Sequence, residues 1–237
     1  MSNKIIFIIV LFAANTIQTI TGFAGNLIAM PPSLILVGYE SSKVVLNVFT
    51  LVACTIITYK NRKNIQWKIL IRICTFMLLG MALGIKLIDY FDLKILSYVY
   101  GIMILIIALK KLFVKIEIKL PCIFMSTVLF LAGIIHGMFV SGGALLVIYA
   151  VWALPDKNKF RATVAPVWMV LGVILMYSHF KSGLYTKDNL ILIAASIVPL
   201  ILSLKVGNML YDKINQKNFL KITYILLIAA GILVFYS

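Results

Sequence analysis

Charge is scarce in this sequence, and negative charge scarcest of all. Only 12% of its 237 residues are charged and seven are acidic, while 63% are hydrophobic. An average soluble chain carries about 25% charged and about 45–50% apolar residues. A water-soluble fold of this length has no interior large enough for so much apolar surface. Lipid removes the difficulty. The apolar runs are continuous, so the spans must be helices; a barrel would show short alternating segments. No Asp or Glu lies deep in any run, which excludes a carboxylate-based proton pump and a dedicated cation site. There is no P-loop, GxSxG or HExxH pattern to support ATP hydrolysis or an embedded hydrolase. The three cysteines, Cys54, Cys74 and Cys122, stand singly without a CxxC pair or a His/Cys cluster. They read as packing residues, and the chain reads as a non-enzyme with no cofactor and no metal.

What charge there is runs strongly positive, at +15 with 22 Lys+Arg. These residues fall between apolar runs, where they set topology and meet anionic headgroups of membrane lipids. That placement accounts for them without nucleic acid. The N-terminus reads Met-Ser-Asn-Lys and turns apolar at Ile5. Ala13-Ala14-Asn15 is a poor cleavage site, so residues 1–23 are read as mature protein and not as a signal peptide.

Apolar segments fall at 5–22, 24–38, 43–59, 69–88, 95–113, 121–140, 143–154, 162–180, 189–210 and 219–236. Most reach the length that about 30 Å of hydrocarbon requires. Two do not: 24–38, which contains Pro31-Pro32, and 143–154, which follows Gly142-Gly143 and stops before Pro155. Each is second in its half of the chain. At an offset of 118, Leu129-Phe130-Leu131-Ala132 lines up with Leu11-Phe12-Ala13-Ala14, His136 with Gln18, Gly143 with Gly25, and Arg161 with Lys43. At 123, Gly84 and Asp89 match Gly207 and Asp212. One transmembrane domain over 1–237 with internal repeats 5–113 and 121–236 is expected.

Lys and Arg number 14 in 60–68, 110–119, 155–161 and 211–221, against four in 38–43, 89–94 and 181–188. The positive-inside rule makes the first set cytoplasmic and places both termini outside. Corresponding loops of the two halves then lie on opposite sides of a cytoplasmic membrane. The expected fold is an all-α, multi-pass protein of two inverted repeats, each a re-entrant or broken hairpin plus three transmembrane helices.

Paired interruptions in inverted repeats are the pattern of secondary transporters, whose freed backbone groups line a site near the midplane. The breaks are Thr21-Gly22-Phe23-Ala24-Gly25-Asn26 and Val140-Ser141-Gly142-Gly143. A helix beginning after such a turn offers unpaired N–H groups and partial positive charge, which suit an anion. Close packing of small residues is the alternative; the paired placement and polar neighbours favour a site. Candidate substrate-binding residues are Gln18, Thr21, Gly22, Gly25, Asn26, Asn47, His136, Ser141, Gly142 and Gly143. Asn15, Thr16 and Thr19 are further polar neighbours; Asn47 and Thr50, which match Ala165 and Trp168 at the offset of 118, are expected either to face the cavity or simply to bond between helices. His136 is the one ionisable residue expected deep in the membrane, as an anion donor, a route for proton coupling, or a neutral partner of a nearby helix. His179, Tyr39, Tyr100, Tyr185 and Trp67 are expected at the interfaces, and Arg72, Lys86 and Lys205 near enough to segment ends to snorkel.

At these residues the sequence resembles the TauE/SafE family of sulfite exporters. Gln18-Thr19-Ile20-Thr21-Gly22-Phe23-Ala24-Gly25 with Met30-Pro31 is similar to its first conserved block. Gly133 through Gly143, with Phe160-Arg161-Ala162-Thr163, is similar to its second. Ala24, Asn26 and Ala144 depart from the usual pattern. The resemblance covers nearly the whole chain and implies duplicated helical halves and transport of sulfite or organosulfur anions.

The leading expectation is a secondary transporter of a small sulfur-containing anion. The alternative is a non-transporting accessory or sensor subunit, whose polar residues would face neighbouring helices. A membrane-bound thiol enzyme would depend on Cys54, Cys74 or Cys122. Substrate, direction, coupling ion and oligomeric state are left open by the sequence.

Overall fold

The computed structural model describes residues 2–87, 90, 98, 102, 106, 122–219, 221, 222, 225, 228 and 232. Segments 95–113 and 219–236 lie largely, and loops 89–94 and 110–119 mostly or wholly, outside them, as do Asp89, Tyr100 and the Cys122 side chain. The described elements are helices: α1 Ser2–Thr21, α2 Ala24–Val37, α3 Tyr39–Asn61, α4 Trp67–Leu87, α5 Cys122–Phe139, α6 Gly143–Ala153, α7 Lys157–Lys181, α8 Lys187–Ala195 and α9 Ile197–Lys213. A 3₁₀ turn, Arg62–Asn64, follows α3. Among the described residues there is no strand.

Among the described residues, four helices are long and apolar enough to cross a membrane: α1, α3, α4 and α7. A fifth span is available if α8 and α9 are one broken span, since they meet at 41°. The sequence reading took 189–210 as one unbroken segment. The break falls at Ser196, three residues before Pro199, which has no N–H for the Ala195 carbonyl and crowds it; the Ser196 hydroxyl adds a back-bond to the Leu192 carbonyl.

The two short helices are where the sequence placed them. At 1.5 Å per residue, α2 with 14 residues is about 21 Å long and α6 with 11 about 17 Å, less than the hydrocarbon thickness. Pro31 and Pro32 lie inside α2 without ending it.

Helix packing repeats between the two groups of elements. α1 packs on α9 and α5 on α4; α1 on α2 and α5 on α6; α2 on α3 and α6 on α7. α3 packs on α7, and the short helices α2 and α6 touch each other. Small residues bring the helices close. A Cβ on Gly84 would fall on the Ile134 carbonyl, and one on Gly207 would lie 2.9 Å from the Thr16 carbonyl oxygen. Ile134 and Thr16 are themselves 118 positions apart.

The outer surface is apolar, with Ile9, Ile71, Ile123 and Val198 exposed, as a lipid-facing surface requires. One residue departs from the interfacial place expected of it, and two others bond to neighbouring helices. His179 is buried. Tyr39 donates its hydroxyl to the Met138 carbonyl, tying α3 to α5. Arg72 donates to the Ser126 hydroxyl at 3.0 Å, a bond between α4 and α5. The Tyr39 and Arg72 side chains thus find partners on neighbouring helices, whereas His179 Nδ1 is buried without one. Trp67 is exposed as expected.

Candidate functional site

α1 ends because Gly22 takes a left-handed conformation, φ +83°, and its N–H closes on the Gln18 carbonyl at 2.7 Å. α5 ends the same way at Val140, φ +55°, whose N–H closes on the His136 carbonyl at 2.8 Å. Gly22 and Val140 are 118 positions apart, as are Gln18 and His136. A β-branched residue in this region carries strain of about 1–3 kcal/mol, and such strain concentrates at functional sites.

After each turn a short helix doubles back against the one before it. A Cβ on Gly25 would lie 2.6 Å from Gln18 Cβ and 2.9 Å from the Ala14 carbonyl oxygen. One on Gly142 would lie 2.9 Å from His136 Cβ and fall on the Ala132 carbonyl. The steric counterpart of Gly25 is therefore Gly142, one residue before the Gly143 that the offset of 118 selects.

The two helix starts differ in their N-cap residues, Phe23 at α2 and Gly142 at α6. At α2, Thr21 Oγ1 accepts from the N–H groups of Phe23 and Ala24, and Gln18 Oε1 accepts from Gly25 N–H at 2.7 Å. At α6, the N-cap residue is Gly142, which has no side chain to offer. The first-turn N–H groups of α6 have no intrahelical acceptor, and the helix dipole adds partial positive charge there.

Each break is held by a side chain from the other half of the chain. Asn26 Nδ2 donates to the Val140 carbonyl at 3.1 Å, and Asn26 Oδ1 accepts from the Thr50 hydroxyl at 2.7 Å. Trp168 Nε1 donates to the Gly22 carbonyl at 2.9 Å. Gln18 Nε2 lies 3.3 Å from that carbonyl and 3.2 Å from Cys54 Sγ.

Between the breaks is a cavity of about 10 Å³, lined by Gln18, Phe23, Asn26, Thr50, Val140, Ser141, Gly142, Gly143 and Trp168. That volume suits at most a single water. The lining has amide, hydroxyl and indole groups and no formal charge.

Of the sequence candidates, Gln18, Asn26, Ser141, Gly142 and Gly143 meet at the cavity. Thr21, Gly22 and Gly25 build the first break. Asn47 does not reach the cavity; it donates to the Gly172 carbonyl at 3.0 Å and ties α3 to α7. His136 lies behind the lining, its ring 5.0 Å from that of Trp168, with both ring nitrogens buried and without partners.

Sequence reasoning missed Phe23, Val140 and Trp168 as lining, Cys54 as a neighbour of Gln18, and Arg161. Counted among loop cations, Arg161 is 3% exposed and packs at 3.5 Å against the position a Gly22 Cβ would take. Pairing by offset held the signal for two of these, because it set Trp168 against Thr50 and Arg161 against Lys43.

Fold and site together define a multi-pass helical membrane protein with two short helices meeting at a small polar cavity. The family model described as Sulfite exporter TauE/SafE matches residues 6–234. The chain belongs to that family, a family of membrane transporters, which bears out the resemblance read from the two glycine-containing blocks. No curated protein and no solved structure matches the chain.

Proposed function

We propose that this protein is a secondary transporter carrying a small sulfur-containing anion, such as sulfite, thiosulfate or an organosulfonate, across the cytoplasmic membrane. The carrying observation is the cavity between Gly22 and Val140, lined by both short-helix breaks, with the start of α6 on one wall. Amide and hydroxyl donors and a helix N-terminus replace an oxyanion's hydration without a fixed charge that would hold it too tightly. At about 10 Å³ the cavity is closed to such an ion. Transport therefore requires the halves to move apart on one side at a time.

The interchange of packing pairs, α1 on α9 with α5 on α4, supports two repeats over 5–113 and 121–236. With the loop-charge asymmetry, it supports inverted repeats that rock about the shared cavity. His136, behind Trp168, is the group through which a proton gradient would act.

Purified protein in liposomes should carry labelled sulfite, thiosulfate or a sulfonate, with Gln18→Ala and His136→Ala lowering the flux. Flux equal to that of empty liposomes across a broad anion panel, with and without a pH gradient, removes the reading.

One observation favours a non-transporting accessory or sensor subunit. Asn26, Thr50 and Asn47 are already bonded to protein groups, as a packing role requires. Cysteine labelling from both sides separates the two readings. Residues 21–26 and 140–144 become water-accessible during the cycle of a transporter and stay protected in a packing protein.

A further inference from the structure

Arg161 sits in the first turns of α7, beyond the cavity lining, with its backbone and Cγ packed against Gly22. It is 3% exposed. Its guanidinium lies 4.0 Å over the ring of Tyr211, and Nη2 donates to Asn208 Oδ1 at 2.6 Å. Nε is buried with no partner, and among the described residues no carboxylate lies within ion-pair distance. A guanidinium presents five donors in a planar fork, and here the Asn208 amide and the ring and hydroxyl of Tyr211 hold it, with the Asp212 carboxylate nearby but beyond ion-pair distance. Burying a cation with no carboxylate in contact is costly, and Asp212 acts on it only from a distance, so the arrangement is poised for an anion. The cavity is one residue layer away: Gly22, against which Arg161 packs, gives its carbonyl to Trp168 and to Gln18, and both line the cavity.

We propose that the Arg161 guanidinium is a second binding point for the anion, a flanking station between the cavity and the membrane face where α7 begins. The proposal rests on the transport reading for the identity of the anion. An oxyanion leaving the cavity past Gly22 takes a forked pair of hydrogen bonds from Arg161, displacing Asn208. The Tyr211 ring keeps the fork flat and facing the path. A neutral cavity with a cation beside it gives the ion a stepwise route, since no single site then binds too tightly for release. The position 118 residues earlier is Lys43, 4.3 Å over the ring of Tyr39 in the first turn of α3, so a cation stands at the same place in the other half.

Sulfite is the probe, with chloride as control, in two measurements on full-length protein. In detergent, sulfite should raise the thermal midpoint of the wild type and of Arg161→Lys, and should fail to raise that of Arg161→Gln. In liposomes, Arg161→Gln should raise KM for sulfite about tenfold or more, the loss of a charge-assisted pair. Asn208→Ala, which removes the competing acceptor and keeps the cation, should give a larger sulfite-dependent shift than wild type, and it decides the matter should Arg161→Gln not reach the membrane. Unchanged sulfite stabilisation and KM in Arg161→Gln overturn the proposal and leave the transport reading intact. Stabilisation that depends on Arg161 without any flux keeps the site and removes the transport reading. No anion-dependent shift in the wild type overturns the proposal.

Discussion

Asn26, on the first short helix, donates to the Val140 carbonyl at the end of α5, 114 residues away and 3.1 Å distant. Trp168 makes the reciprocal bond to Gly22. Each half thus holds the other's break shut. The two clamps differ in backup, because the Gly22 carbonyl also has Gln18 within 3.3 Å. Asn26→Leu strands both the Val140 carbonyl and the Thr50 hydroxyl, so it should cost about 1–3 kcal/mol. Trp168→Phe should cost less. Denaturant unfolding in detergent gives the order, and an equal or reversed order contradicts the clamp assignment.

Val140 holds a left-handed backbone conformation that a β-branched residue disfavours. At an ordinary helical position alanine is more stable than glycine by about 0.5–1 kcal/mol. At 140 the order should reverse, with Val140→Gly more stable than Val140→Ala by about 1 kcal/mol. Comparing these two variants removes the lost packing of the valine from the question, since both lack it. A normal order, read from thermal midpoints, would mean the turn relaxes and carries no strain.

Gly25 and Gly142 sit where a methyl group meets the preceding helix, 2.6 Å from Gln18 Cβ and 2.9 Å from His136 Cβ. Neither neighbour is the far end of a flexible chain. Gly25→Ala and Gly142→Ala should each destabilise by about 1–3 kcal/mol through overpacking. Gly172→Ala meets the tip of Leu51 at 3.0 Å, which can swing away, and should be milder. Equal effects at the three positions would show that the close approach is not what holds the short helices in place.

Composition and run length were enough to read helices and lipid, because the apolar excess leaves no other solution. The two breaks were legible from Gly22, Gly25, Gly142 and Gly143, and the family from the same blocks. The cavity was only half legible. Gln18, Asn26 and Ser141 are polar residues in apolar runs and attract notice alone. Phe23, Val140 and Trp168 line it with apolar surface, an indole or backbone, and composition does not distinguish these from core. Asn47 shows the converse: a deep amide invites a ligand, yet it faces the Gly172 carbonyl. Arg161 and His179 were placed outward because they lie near segment ends; burial there depends on neighbouring helices, which periodicity does not report. The bend at Ser196 had its signal in Pro199, which has no N–H for the Ala195 carbonyl and crowds it; the long apolar run through 189–210 outweighed that signal.

Tyr185, in the loop between α7 and α8, has a buried hydroxyl without a hydrogen-bond partner. Burial pushes its phenol up from the ordinary value near 10. The folded protein thus holds this proton to higher pH than the unfolded chain. Stability from the group is complete below about pH 10 and is lost as pH rises through the folded value, because the unfolded state sheds its proton first. Tyr185→Phe removes the titration and an unsatisfied hydroxyl together. At neutral pH the variant should match the wild type or exceed it slightly. Above pH 10 its unfolding midpoint should fall less steeply than that of the wild type. Parallel pH profiles would mean the hydroxyl reaches water and its burial contributes nothing.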